Sequence, residues 1–352
     1  MKTQTWMLLF GMTLAAPAAG HGAGKATALF LRQETTARTS AMGGAAAALY
    51  DDAGAVYLNP AGLGFMEQNQ VSLSAWTGLD GESRETFLSG IYDSGASGVF
   101  SLAYLANNSG EEEIFDLGGN LMSVTLEKEY AAGAGWGRKV MGRNISVGAQ
   151  AKYVRSELVE TYTAKALALD AGVLARTSDG RFSVGAGLQN LGGRLKYLSE
   201  NEDLPRVFYA GAAARLKGAA DKLTLAFDIR KPRDQQALDL HAGLEYSLYE
   251  TVAVRIGVRH VSRENSFTLG GSLMMKWLAF DYSLEPANDR LNQSTHKFTI
   301  NVPFGAAGRM KENSAHPVSA APAAPVTPAA PVTPAAPETP VSPDRETPPA
   351  GL

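Results

Sequence analysis

From residue 71 to residue 304, apolar side chains recur at every second position in segment after segment, a period that suits extended strands with two chemically different faces. Leu223, Leu225, Phe227 and Ile229 share one face of such a segment, with Thr224, Ala226, Asp228 and Arg230 on the other. Leu238, Leu240, Ala242, Leu244 and Tyr246 then oppose Asp239, His241, Gly243 and Glu245, and Val252, Val254, Ile256 and Val258 oppose Ala253, Arg255, Gly257 and Arg259. A soluble sandwich turns its polar face to bulk water and shares one apolar core between two sheets. Here three successive polar faces carry charges of both signs, which suits the lumen of a barrel whose apolar face meets lipid. The pattern therefore predicts an all-β fold, a transmembrane antiparallel β-barrel, with Asp228, Arg230, Asp239, His241, Glu245, Arg255 and Arg259 as a lumenal charge ladder.

Fourteen segments meet the pattern: 71–76, 85–92, 98–105, 122–137, 145–157, 164–176, 182–190, 207–216, 223–230, 237–246, 252–260, 266–275, 278–284 and 296–304. The connections 106–121, 191–206 and 285–295 are long and polar, and each follows an odd-numbered segment. Thr177–Arg181, Lys217–Lys222 and Ser247–Thr251 follow even-numbered segments and are short. Long outer loops and short periplasmic turns are the signature of a bacterial outer-membrane barrel, and an even count leaves both barrel ends in the periplasm. At Met275–Trp277 no turn residue marks the reversal between two segments.

Both ends of the chain fall outside the pattern. Lys2, an apolar stretch from Trp6 to Ala16 and the small residues Ala16-Pro17-Ala18-Ala19-Gly20 read as an export signal over 1–20. From Pro317 to Pro349 proline recurs nearly every third residue, and Ala-Ala-Pro-Val-Thr-Pro at 323–328 is repeated at 329–334. Such a segment favours polyproline II over any packed core, and 322–343 could extend on the order of 70 Å. The 352-residue chain has no cysteine, which excludes disulfides, thiolate metal sites and a cysteine nucleophile. Its formal charge of -3 offers no polycationic surface, so nucleic acid is not an expected partner. No apolar run is long enough for a spanning helix.

Ala37-Arg38-Thr39-Ser40-Ala41-Met42-Gly43-Gly44-Ala45, followed by Asp51-Asp52-Ala53-Gly54-Ala55-Val56-Tyr57-Leu58-Asn59-Pro60-Ala61-Gly62-Leu63, resembles the opening of PorV/PorQ-type proteins in the FadL-like outer-membrane family. The resemblance extends as a pattern over roughly 26–304, through Leu188-Gln189-Asn190-Leu191-Gly192, Leu204-Pro205 and a last strand closing on Phe304. It implies a barrel of fourteen strands whose N-terminal segment folds inward as a plug, with Gly43, Gly44, Asp51, Asp52, Asn59, Pro60 and Gly62 as the plug motif. The organisation expected is a signal peptide over 1–20, a plug over 21–70, the barrel over 71–304 and a disordered, Pro/Ala-rich periplasmic tail over 305–352. The glycines and prolines of the motif carry backbone geometry more than chemistry. For function, the PorV/PorQ side of the resemblance implies an adaptor engaging secretion or surface-assembly proteins, and the FadL side implies a channel taking up hydrophobic small molecules. The signature favours the adaptor, and a charged lumen suits a sealed interior better than an apolar conduit. Outer-membrane lipid is the expected solvent in both.

Enzymatic and cofactor readings fail on context. Gly22-Ala23-Gly24-Lys25-Ala26-Thr27 lacks the spacing and preceding strand of a phosphate loop, and Gly133/Gly135/Gly137 and Gly185/Gly187 sit at strand period, not at a glycine turn into a helix. Glu111-Glu112-Glu113 with Asp116 lacks the fixed spacing of a calcium loop. Neither His241, beside Asp239 and Glu245 on the lumenal face, nor His260, at a strand end, has a serine marked as a nucleophile. No cofactor, no metal and no catalytic residue is expected.

Overall fold

The computed structural model describes residues 27–77, 83–115, 120–140, 144–198, 200–218, 221–287 and 294–305; the expected export signal, the phosphate-loop look-alike before Thr27 and the Pro-rich tail lie outside them. Its strands are β1 (Asn69–Thr77), β2 (Arg84–Asp93), β3 (Val99–Asn108), β4 (Glu111–Phe115), β5 (Leu121–Thr125), β6 (Glu127–Val140), β7 (Ile145–Leu158), β8 (Tyr162–Arg176), β9 (Phe182–Gly192), β10 (Arg194–Tyr197), β11 (Glu200–Asp203), β12 (Val207–Lys217), β13 (Asp221–Pro232), β14 (Asp239–Leu248), β15 (Val252–Val261), β16 (Glu264–Met275), β17 (Leu278–Glu285) and β18 (Thr295–Phe304). β4–β5 and β10–β11 pair only with each other, and the other fourteen close into one antiparallel barrel. The seam joins β1 to β18, with Leu73 opposite Ile300.

The alternation of the sequence is the alternation of the wall. Leu102, Leu167, Val254 and Phe267 point outward and are half to two-thirds exposed, whereas their strand neighbours Ser101, Ala168, Arg255 and Thr268 are buried inside. An outward apolar band above an inward polar or small face is what a bilayer requires of a barrel. Two details differ from the sequence pattern. The expected segment 122–137 joins a loop strand to a wall strand: Leu121–Thr125 alternates like a wall strand but pairs with Glu111–Phe115, and the chain bends at Leu126 before β6 begins. At Met275–Trp277 the reversal is a two-residue hairpin, Met275 pairing directly with Leu278, so register alone fixes a turn that carries no glycine or proline.

All the long connections, including the β4–β5 and β10–β11 hairpins, leave the same end of the barrel, and short turns close the other. Added protease should therefore cut intact cells within 109–126, 193–206 or 286–294 and nowhere within 177–181 or 249–251. Mass spectrometry of the fragments tests this, and cleavage in the short turns would invert the topology.

Inside the barrel, residues 27–66 run from the long-loop end to the short-turn end. Near the start Thr27 donates its N–H to the Asp203 carbonyl (3.4 Å), and near the end Gly64 lies against the backbone of Arg138 and Lys139. The chain packs this closely because the wall is bare there. A Cβ on Gly148 or Gly243 would overlap the plug backbone at Pro60 or Met42.

Candidate functional site: the plugged lumen

The plug is built from short pieces held by side-chain caps. A helix over Ala37–Ala41 starts from Thr36, whose hydroxyl and that of Thr39 cap each other's backbone. Gly43 and Gly44 follow with φ of 64° and 85°, a left-handed pair that turns the chain along the wall, where a Cβ on Gly43 would meet the Val258 and Ala242 carbonyls at 2.7 and 2.8 Å. Asp52 caps the second helix, Ala53–Leu58, accepting from the N–H groups of Gly54 (2.8 Å) and Ala55 (3.2 Å), and also accepts from the Thr36 hydroxyl (2.8 Å). Asn59 then caps the 3-10 turn Pro60–Phe65, which holds Gly62, and its amide donates to the Ala47 carbonyl at 2.7 Å. The motif residues thus hold backbone to backbone. Asp51 differs, for it pairs with Arg38 (3.0 Å), Arg215 (3.5 Å) and Lys222 (3.8 Å).

One side of the lumen is a charge lattice in which plug and wall alternate. Arg38 grips Glu245 through Nε (2.8 Å) and Nη2 (2.9 Å); Glu245 accepts from Arg255 Nε at 2.6 Å, and Arg255 reaches Asp281 at 3.1 Å. Bidentate arginine–carboxylate pairs of this kind fix orientation as well as charge. Nearer the long-loop end Glu34 of the plug meets Arg259 (2.9 Å) and Arg230 (3.5 Å), while Arg259 also pairs with Glu285. Asp228 accepts from the backbone of Ala46 (2.8 Å) and Ala47 (2.9 Å), Asp239 pairs with Arg32 (3.2 Å), and His241 Nδ1 lies 2.7 Å from the Gly43 carbonyl. All seven residues of the expected ladder sit on the inner face, yet most of their partners come from the plug. Glu34 and Arg32 carry no sequence signal and Arg38 only its place in the quoted opening motif, whereas Asp281 and Glu285 share a strand parity that could have exposed them.

The opposite side of the lumen carries an apolar cluster. Phe87, Ile91, Leu105 and Val154 from the wall, with Leu195 and Leu204 from the outer connection, pack against Phe30, Leu31, Val56 and Tyr57 of the plug. Phe87 meets Tyr57 edge-on at 5.3 Å. Buried ion pairs interrupt it: Lys152 with Asp170 at 2.8 Å, the ammonium also lying over the Tyr57 ring, and Glu85, two residues before Phe87, with Lys297 at 2.7 Å. A uniformly charged lumen is therefore not what the wall presents. At the short-turn end Arg215 stacks on Tyr50 (4.2 Å) and Arg176 on Phe65 (4.4 Å), so guanidinium–ring contacts tie the last plug residues to the barrel.

Charge and burial compete in the plug carboxyls. Burial raises Glu34, but Arg259 and Arg230 overcome it and hold the carboxyl at about 2. Desolvation likewise opposes ionisation of Asp51, yet Arg38, Arg215 and Lys222 keep it well below the usual range; at Asp52 burial prevails over Arg38 and the value rises. Because the folded value of Glu34 lies below its ordinary 4.5, its ion pairs stabilise fully above that pH and are lost as the pH falls towards about 2. Glu34→Gln should therefore weaken the barrel at neutral pH and match the unsubstituted chain near about pH 2. Denaturant midpoints across the acid range read this directly, and parallel curves for the two proteins would remove Glu34 from the lattice.

The closed, plugged barrel of fourteen strands is a bacterial outer-membrane fold. Among solved structures it is similar to the Ralstonia pickettii toluene transporter TbuX, with a TM-score of 0.57 at 15% identity over 77% of this chain and 98% of that one. It is also similar to the Pseudomonas putida toluene transporter TodX, with a TM-score of 0.52 at 14% identity over 76% of this chain and 96% of that one. No protein-family model and no curated sequence matches the chain. At these identities the likeness is one of fold, that of a closed outer-membrane β-barrel.

Proposed function

We propose that this protein is an outer-membrane uptake channel for small hydrophobic molecules, with residues 27–66 as its gate. The observation that carries the proposal is the apolar cluster of the lumen, where Phe87, Leu105, Val154 and Leu195 face Phe30 and Tyr57 across the plug boundary. A solute moving along that boundary would trade one apolar contact for another, while the charge lattice opposite keeps the plug registered on the wall. Both similar structures are described as toluene transporters, which supports a ligand of that kind. An adaptor of PorV/PorQ type is the second reading, and what favours it is the Asp51–Arg38–Glu245–Arg255–Asp281 chain of ion pairs locking the plug. Cells with an intact lipopolysaccharide leaflet, expressing the full chain or lacking it, separate the two. Uptake of labelled aromatic tracers that depends on the protein supports the channel, and its absence together with co-purifying secretion components supports the adaptor.

A further inference from the structure

We propose that the outer wall at the long-loop end holds a phosphorylated glycolipid, the lipid A of lipopolysaccharide, on rows of outward-facing cations. Arg84, Lys128 and Lys165 are exposed and Arg155 partly so, while their strand neighbours Glu85, Glu129, Ala166 and Val154 are buried inside. Register sets the cations in two adjoining rows. Arg155 lies opposite Tyr130 on β6 and Lys165 on β8. One step towards the loops, Lys128 lies opposite Asn108 on β3 and Glu157 on β7, and Asn108 lies opposite Arg84. The rows thus gather four cations around one carboxylate, Glu157, which takes Arg155 at 3.2 Å in place of Lys128. Among the described residues neither Lys128 nor Lys165 has an ion pair. Arg155 and Lys165 stand directly opposite each other, a like-charge pair that costs stability and that an anion lying across it would relieve.

The surroundings fit a lipid head better than a free ion. A lysine or arginine facing lipid is costly at hydrocarbon depth and nearly neutral at the interface, so these rows mark the level of the head groups. Directly beneath runs Leu88, Tyr104, Ala132, Tyr153 and Leu167, a surface for acyl chains. The Tyr130 ring bridges the two levels, 6.1 Å from Tyr104 and 6.3 Å from Tyr153. A hollow of about 440 Å³ opens over Thr86 and Ala106 and is rimmed by Arg84, Lys128 and Arg155. Guanidinium forks match phosphate oxygens, and ammonium groups add point charge. With long loops outside, this level is that of the outer leaflet, where lipopolysaccharide carries phosphates on a sugar head above its acyl chains. The far wall is different: the basic residues of β14–β18, Arg255, Arg259 and Lys297, all face the lumen. The site lies outside the barrel, so it stands whether or not the lumen transports.

The test titrates the full chain, purified in detergent, with lipid A bisphosphate and with the same lipid stripped of its phosphates. EDTA is present so that no metal bridges lipid and carboxylate, and native mass spectrometry counts the lipid bound. The expected result is binding of the bisphosphate about thirtyfold tighter than of the stripped lipid, with inorganic phosphate unable to displace it at equal concentration. Lys128→Gln and Lys165→Gln should each weaken binding about fivefold and together about thirtyfold. Arg138→Gln, an outward cation at the short-turn end, should leave it unchanged. Heat-modifiable migration on gels verifies that each variant is folded. Equal affinity for the two lipids overturns the inference, as does a folded double variant that binds the bisphosphate undiminished. A loss in Arg138→Gln as large as in the lysine variants also overturns it, because any surface cation would then serve. Displacement by inorganic phosphate would make the rows a free-anion site and overturn the lipid assignment.

Discussion

Removal of residues 27–66 is expected to turn a closed barrel into an open pore. Eight strands enclose a lumen that side chains can fill, and sixteen leave a water-filled channel. With fourteen strands and an inner wall rich in alanine, glycine and serine, this barrel is filled only because the plug fills it. In planar bilayers the full chain should show little conductance, and the plugless barrel should conduct about tenfold more or better. The deletion also takes the Ala46 and Ala47 N–H groups from Asp228, Arg38 from Glu245 and Arg32 from Asp239, and water admitted by the pore can solvate what they leave. A plugless barrel that inserts, migrates as a folded band and still fails to conduct would show that the wall itself collapses inward.

The second large effect separates the two faces of one strand. Arg255 lies between Glu245 at 2.6 Å and Asp281 at 3.1 Å, with all three side chains 5% exposed or less. Arg255→Leu leaves two buried carboxylates sharing only Arg38, Asn301 and Ser272, and breaking a buried pair from one side costs about 3 kcal/mol or more. Val254, its neighbour in sequence, faces outward and is 55% exposed, so Val254→Leu should change stability by no more than about 0.5 kcal/mol. Urea unfolding in lipid vesicles gives both numbers. Similar losses for the two substitutions would mean that the face assignment has failed.

The contrast explains how much was legible. On β13, β14 and β15 one face is charged and the other aliphatic, so period two assigns each residue to lumen or lipid without any structure. On β2 and β3 the inner face mixes Phe87, Ile91 and Leu105 with Glu85, Ser89 and Ser101: Phe87 is buried and Leu88 exposed, and nothing in these two side chains distinguishes them. Hence the apolar cluster of the lumen, on which the proposed function rests, left no trace in the alternation. The plug partners were hidden for another reason. Arg38 and Glu245 are 207 positions apart, and the irregular segment carrying Arg38 has no period from which its facing could be inferred. The caps Asp52 and Asn59 could be read as turn chemistry, but which helix or turn each serves is decided by packing inside a barrel that local sequence does not describe.

Thr299, on the last strand, accepts a hydrogen bond of 2.8 Å from the backbone of Ala37, 262 residues earlier in the chain. The segment made first is thus clasped by the strand made last, and the β1–β18 seam closes around material already inside. Such contacts, late by their sequence separation, place the plug among the determinants of assembly as well as of passage. In the closed barrel the segment offers Glu34 to β13 and β15, Arg38 to β14 and a backbone N–H to β18, so strands far apart in the sequence share one inner partner. A cylinder closed without its filling would leave the Thr299 hydroxyl without the Ala37 N–H and Arg259 without Glu34, so the last strands carry a check on what they enclose.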